Sequence, residues 1–137
     1  REGMSVTRRS DPGDFDADTQ VYLGDTMGEL PAMLGSADVA FIGGSLVKIG
    51  GHNMLEAAAQ GVAVCFGPHV FNFAAISQLL LEAAAARQVA NAAELADQVS
   101  AWFADASKRA EAGENGRAVV ARNRGALNRL LKLISLP

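Results

Sequence analysis

DVAFIGGSLVKIGGHNMLEAAAQGVAVCFGP, residues 38–68, decides how this chain folds. Val39–Ile42 runs into Gly43-Gly44, and Val62–Phe66 runs into Gly67-Pro68. Neither run alternates apolar with polar residues. Each is apolar on both faces, the pattern of a strand covered by helices on both sides. Between them a polar, glycine-rich stretch gives way to Met54-Leu55-Glu56-Ala57, which reads as a helix. Strand, loop, helix and strand in that order make a parallel β-α-β unit with a right-handed crossover.

The pattern continues outward. Val21-Tyr22-Leu23 is a third apolar run and ends at Gly24. Weaker strands are expected at Ser5–Arg9 and Arg87–Ala90, and helices at about 30–36, 54–60 and 72–85. Beyond Ala90 the chain reads as helix alone, over about 92–135. Leu95, Val99, Trp102 and Phe103 form one apolar stripe there, and Leu127, Leu130, Leu131 and Ile134 form another. Both stripes read as core. The fold class is therefore α/β, a Rossmann-like parallel sheet with flanking helices, in one domain over residues 1–137. Asp11–Thr19 is acidic, carries Pro12 and Gly13, and reads as an exposed loop. A doubly wound sheet has about six strands, and few precede the loops of interest here. The chain is thus expected to be the later part of a larger domain. Missing first strands would leave a sheet edge open to self-association.

Composition narrows the function. Half of the 137 residues are apolar, enough to bury a core. No run approaches the roughly 20 apolar residues of a membrane span, so the chain itself is expected to be soluble. Its first residues hold no signal-peptide core. Cys65 is the single cysteine and cannot form an internal disulfide, which fits a reducing compartment. Net charge is −3, yet residues 105–137 carry seven basic and three acidic side chains. That tail suits an anionic surface or an acidic partner domain, or is a solvated helix face. Its basic residues lack interleaved aromatics, so no nucleic-acid partner is expected.

Ligands of open α/β sheets bind beyond the carboxyl ends of the strands. Three such ends are unusual here. In LGDTMGELP, residues 23–31, Pro31 fits a first helical turn and leaves Asp25–Gly28 as loop. Such a loop brings backbone groups close to a flat base, or is only a Thr26-x-x-Glu29 capping turn. In GGSLVKIGGHNMLE, residues 43–56, Gly43-Gly44 ends a strand and Gly50-Gly51 leads to Asn53. Asn53 is a good N-cap, and N–H groups at a helix start suit a phosphate. Glu56 closes a capping box to Asn53, or accepts hydrogen bonds from both ribose hydroxyls. The dinucleotide fingerprint and the phosphate loop ending in Gly-Lys-Ser/Thr are absent, which disfavours a dehydrogenase and an ATPase. Ser45 lacks the second glycine of a nucleophile elbow. In FGPHVFNF, residues 66–73, Asn72 is expected to cap the next helix, whose buried face is Phe73, Ile76 and Leu80. His69 falls in the loop before it. His52 and His69 lack the spaced partners of a metal site, and no metal or cofactor is called for. Cys65, inside a buried strand, reads as structural.

GDTMGEL (24–30), ADVAFIGGSLV (37–47), GGHNMLEAAA (50–59), GPHVFNF (67–73) and NRGALNRLL (123–131) resemble 3-deoxy-D-manno-octulosonic acid (Kdo) transferases. Five motifs in order across nearly the whole chain make the resemblance specific. It implies the C-terminal, donor-binding half of a GT-B glycosyltransferase, two Rossmann-like domains facing across a cleft. It also implies transfer of Kdo from CMP-Kdo to lipid A precursor in lipopolysaccharide synthesis. The place implied is the cytoplasmic face of the Gram-negative inner membrane. The membrane surface, the acceptor and the general base would belong to an N-terminal half not recognisable here, so the chain alone is expected to be inactive.

The resemblance places Asp25, Thr26, Met27, Gly28 and Glu29 beside the cytosine. It places Gly43, Gly44 and Ser45 at the phosphate or the Kdo carboxylate, Asn53 near the phosphate, and Glu56 on the ribose. Gly51, His52, His69 and Asn72 are further donor-side candidates. Met54 stands where the family often has proline, and Pro31 is atypical after GEL. In the implied reaction an acceptor hydroxyl attacks the anomeric carbon and CMP leaves. Backbone donors at Gly44, Ser45 and Asn53 would meet the growing phosphate charge, with no metal required. Two alternatives stay open: another GT-B sugar-nucleotide enzyme, transferase or epimerase, and a non-catalytic nucleotide-binding or interaction module.

Overall fold

The computed structural model describes residues 3–11, 13 and 16–134, with side chains described through Ala126. Its elements run β1 (Val6–Arg8), β2 (Val21–Leu23), α1 (Leu30–Gly35), β3 (Val39–Phe41), α2 (Leu55–Ala59), β4 (Ala63–Phe66), a 3-10 turn at Phe71–Phe73, α3 (Ala74–Glu82), β5 (Ala86–Gln88), α4 (Ala92–Ala104) and α5 (Ala106–Ile134). All strand pairings described are parallel. β1 pairs with β2, Val6 opposite Val21. β4 lies between β3 and β5, with Val39 opposite Ala63 and Val64 opposite Ala86. The chain divides into two compact units, Arg1–Met33 and Leu34–Pro137.

Every expected strand forms, the two weak ones included: β2 keeps the expected bounds, β1, β3 and β4 are shorter, and β5 begins one residue earlier and ends two earlier. The long terminal helix divides at Asp105, whose backbone leaves the helical region at φ −129 and ψ 87. Its carboxylate accepts the Lys108 N–H at 3.0 Å and so caps the start of α5. The helix expected at 72–85 is shorter. Asn72 makes no capping hydrogen bond, and the 3-10 turn stands in its place.

The expectation that each strand is covered on both faces holds for β4 alone. All four of its residues are buried. Phe41, on β3 at the edge of its three-stranded ladder, is exposed, while Ala40 beside it is buried. Tyr22 and Leu23 are exposed, and among the described residues β2 pairs with β1. On the α4 stripe Trp102 is buried, but Phe103, the next residue round the helix, is exposed and lies 5.3 Å from the Arg109 guanidinium carbon. The stripe Leu127, Leu130, Leu131 and Ile134 lies outside the residues whose side chains are described.

Around β4 the core gathers Met54, Val64, Phe66 and Leu80, all without exposed surface, with Val119 and Val120 of α5. Burying a side chain the size of Phe66 or Met54 contributes about 1.5–3 kcal/mol. α5 reaches this core because Gly113 has no side chain. A Cβ there would collide with the Gly61 carbonyl oxygen and lie 2.8 Å from its carbon. Four residues on, Arg117 donates to the Gln60 carbonyl at 3.0 Å and satisfies the end of α2. α5 therefore fixes the β4 side of the loops that follow. Cys65, on β4, is buried, and burial pushes its thiol up to about 11, which keeps it un-ionised and structural.

Candidate functional site

The first candidate loop, Gly24–Glu29, is braced by charge. Ser10 donates its N–H to Asp25 at 2.9 Å and its hydroxyl to the same carboxylate at 2.6 Å. Arg9 donates through Nε and Nη2 to Glu29 Oε1 at 3.1 and 2.9 Å. The Thr26 hydroxyl bonds the other Glu29 oxygen. The two residues of the Thr26-x-x-Glu29 turn thus bond each other side chain to side chain, not through the side-chain-to-backbone bonds of a capping box. The Glu29 carbonyl accepts the Met33 N–H at 3.1 Å, so α1 begins just after it and Pro31 falls in the first turn. The Ser10 hydroxyl and N–H hold Asp25 below its usual carboxylate range. The Thr26 hydroxyl, then Arg9, does the same for Glu29, which in turn raises Arg9. Both carboxylates are occupied in holding the loop. What faces outward is its tip, with Met27 96% exposed. Gly28 beside it adopts φ +82, and a Cβ there would touch nothing.

The second loop, Gly43–Asn53, is braced from within. The Gly44 carbonyl accepts the Gly51 N–H at 3.1 Å and closes the loop on itself. Gly51 takes φ +73 to do so. Gly50 is overlaid by the next loop: a Cβ on it would lie 2.5 Å from the Asn72 amide nitrogen and 2.7 Å from the Phe71 ring. The His52 ring lies against the first glycine pair, its Cδ2 3.9 Å from where a Gly43 Cβ would be and its Nε2 3.5 Å from that of Gly44. His69 donates its N–H to the Ser45 carbonyl at 2.9 Å. Gly43, Gly44, Ser45, Gly51, His52, His69 and Asn72 therefore belong to one cluster of loops beyond β3 and β4.

Two details depart from expectation. Asn53 is not the N-cap. Its Oδ1 accepts the Leu55 N–H at 3.0 Å, while Met54 occupies the cap position with helical angles and no side-chain bond. Met54 is wholly buried, and α2 starts one residue later than the sequence pattern suggested. Glu56 consequently cannot close a capping box. It is exposed in the first turn of α2. Ser45, in contrast, is wholly buried, and its hydroxyl faces inward. Sequence reasoning also missed Arg9 and Ser10, whose link to residues 25 and 29 is a tertiary contact without a local signature. Phe71, 64% exposed beside Gly50, was missed as well; its only signal was an apolar residue where a turn was due.

Among the described residues no three His, Cys, Asp or Glu side chains gather closely enough to hold a metal ion. No described helix is long and apolar enough to cross a membrane.

A parallel α/β unit with its unusual loops at the carboxyl ends of β3 and β4 has the arrangement in which open α/β sheets bind their ligands. The crystal structure of the C-terminal CMP-Kdo binding domain of WaaA from Acinetobacter baumannii superposes with a TM-score of 0.79 at 33% identity, covering 85% of this chain and 61% of that one. The 3-deoxy-D-manno-octulosonic acid transferase of Haemophilus influenzae is 43% identical over 135 residues, 98% of this chain and 32% of the relative. That of Bordetella pertussis is 38% identical over 130 residues, 94% of this chain and 30% of the relative. No family model matches. The chain is a homologue of the Kdo transferases, which are glycosyltransferases, and carries the fold of the C-terminal domain of one of them. It spans about a third of the length of the curated relatives it matches.

Proposed function

We propose that residues 1–137 form part of the donor-binding domain of a Kdo transferase and hold CMP-Kdo for transfer to a lipid A precursor. The observation that carries this reading is the likeness, in sequence and fold together, to a domain that binds CMP-Kdo. In this reading Asp25, Thr26 and Glu29 shape the Gly24–Glu29 loop, and its open tip at Met27 and Gly28 presents backbone groups to the cytosine. Gly43 and Gly44 meet the phosphate or the Kdo carboxylate with backbone groups, with Gly51, His52, His69 and Asn72 around them. Ser45 takes part through its backbone. Asn53 orders the entry to α2. With the capping box unformed, Glu56 is free to accept hydrogen bonds from the ribose hydroxyls.

An acceptor hydroxyl attacks the anomeric carbon, the bond from that carbon to the phosphate oxygen breaks, and CMP departs with the electron pair. N–H groups and His52 near Gly44 favour the charge that gathers on the phosphate. The base that takes the hydroxyl proton, the acceptor site and attachment at the cytoplasmic face of the inner membrane are assigned to the rest of the protein.

Titration of the chain with CMP, UDP and GDP tests the reading. CMP is expected to bind most tightly; a clear preference for UDP sinks it in favour of another GT-B enzyme. Glu56→Ala is expected to weaken CMP about 10- to 100-fold, the loss of a charged hydrogen-bond acceptor, and to leave the melting temperature unchanged. A non-catalytic interaction module predicts no nucleotide binding at all.

A further inference from the structure

Past the last rung between β3 and β4, where the Ile42 N–H donates to the Cys65 carbonyl at 2.9 Å, the two strands run into separate loops. Ser45 bridges that gap. Its hydroxyl donates to the Ile42 carbonyl and accepts the Gly67 N–H at 2.8 Å. Its own carbonyl accepts the His69 N–H at 2.9 Å. The side chain has no exposed surface. Gly67 completes the fit. A Cβ on it would collide with the Ser45 carbonyl oxygen and lie 2.7 Å from the Leu46 nitrogen, so only glycine allows the loops this close. A side chain one atom shorter would leave the Gly67 N–H buried without a partner. A bulkier one would have to displace the Ile42 carbonyl or the Gly67 N–H that the hydroxyl already touches.

We infer that Ser45 is a positioning residue: its buried hydroxyl and carbonyl lock the Gly43–Gly51 loop to the Gly67–Val70 loop, fixing the Gly43–Gly44 surface and His69 in one arrangement before a ligand arrives. The lock itself follows from geometry. Its consequence for the donor rests on the donor-binding reading.

Ser45→Ala in this chain tests it by amide hydrogen exchange followed residue by residue, with CMP titration alongside. The Gly67 and His69 amides are expected to exchange about 10-fold faster or more, the effect of a lost buried partner, while those of Val64 and Leu80 hold their rates. CMP affinity is expected to fall by a similar factor. Ser45→Cys puts a larger group with a weaker donor and acceptor in the same place, and should fall between wild type and alanine in both readouts. Should the alanine variant fail to fold, the cysteine variant decides alone. Unchanged exchange at Gly67 and His69 overturns the lock, and so does a uniform loss of protection across β4 and α3. Altered exchange with unaltered CMP affinity overturns its role in binding. If the wild-type chain takes no CMP, the donor-binding reading fails, and exchange at these two amides still decides the lock.

Discussion

The Gly24–Glu29 and Gly43–Asn53 loops both follow strands and both present glycines, yet they are held by opposite means. The first is tied by ionised groups at the surface: Asp25 to Ser10, and Glu29 to Arg9 and Thr26. The second is tied by neutral groups inside: the Ser45 hydroxyl, the Gly51 N–H and the Gly67 N–H. Exposed ionic contacts are screened by salt and yield to pH; buried neutral ones are not screened and cost more when one partner is lost. One loop is therefore adjustable by the medium, and the other is set by packing.

The largest break in this comparison comes from the frame under the second loop. Phe66→Ala empties a wholly buried site on β4 and is expected to cost about 3–5 kcal/mol in denaturant unfolding. Gly113→Ala comes next. It forces α5 off the Gly61 carbonyl at a cost of about 1–3 kcal/mol. Both should loosen the Gly43–Asn53 loop and leave the Arg9–Glu29 pairing in place. A variant that disturbs the two loops equally would show that they share one support.

Acidification should do the reverse. Asp25 and Glu29 are held below their usual values in the folded chain. Their bracing is therefore complete above the unfolded carboxylate range, about pH 4, and disappears as pH falls through their lower folded values. Exchange of the Ser10 amide, corrected for its intrinsic pH dependence, should rise across that fall while the Gly67 amide stays protected. Equal behaviour of the two amides would erase the distinction. The smallest effect belongs to Arg9→Ala. It should leave the melting temperature within error and remove the salt dependence of protection at the Gly24–Glu29 loop, since an exposed ion pair contributes little to global stability.

The sequence pattern carried much of this. Val62–Phe66 reads as a covered strand because all its residues are apolar, and β4 is buried throughout. Tyr22, Leu23 and Phe41 read the same way but are exposed, because a strand's own residues do not say what packs on its faces. Asn53 and Glu56 are spaced for a capping box. Asn53 does bond the first turn through the Leu55 N–H, but Met54 holds the cap position and Glu56 makes no return bond. The glycine pairs marked the turns of the second loop, where Gly44 and Gly51 take positive φ and the Gly51 N–H bonds the Gly44 carbonyl. Which atoms hold that loop was not legible, because Ser45 and Gly67 are 22 residues apart and each looks ordinary alone.

By itself the sequence determined the parallel α/β class, the order of its elements and the kinship with Kdo transferases. Periodicity and motif order are properties of the chain read locally. Only the tertiary structure decided that Glu56 is uncapped and exposed, that Ser45 turns inward, and that Asp25 and Glu29 are engaged by Ser10, Arg9 and Thr26. Those outcomes depend on which distant groups arrive within hydrogen-bond reach, and packing around β4 and between β1 and β2 sets that.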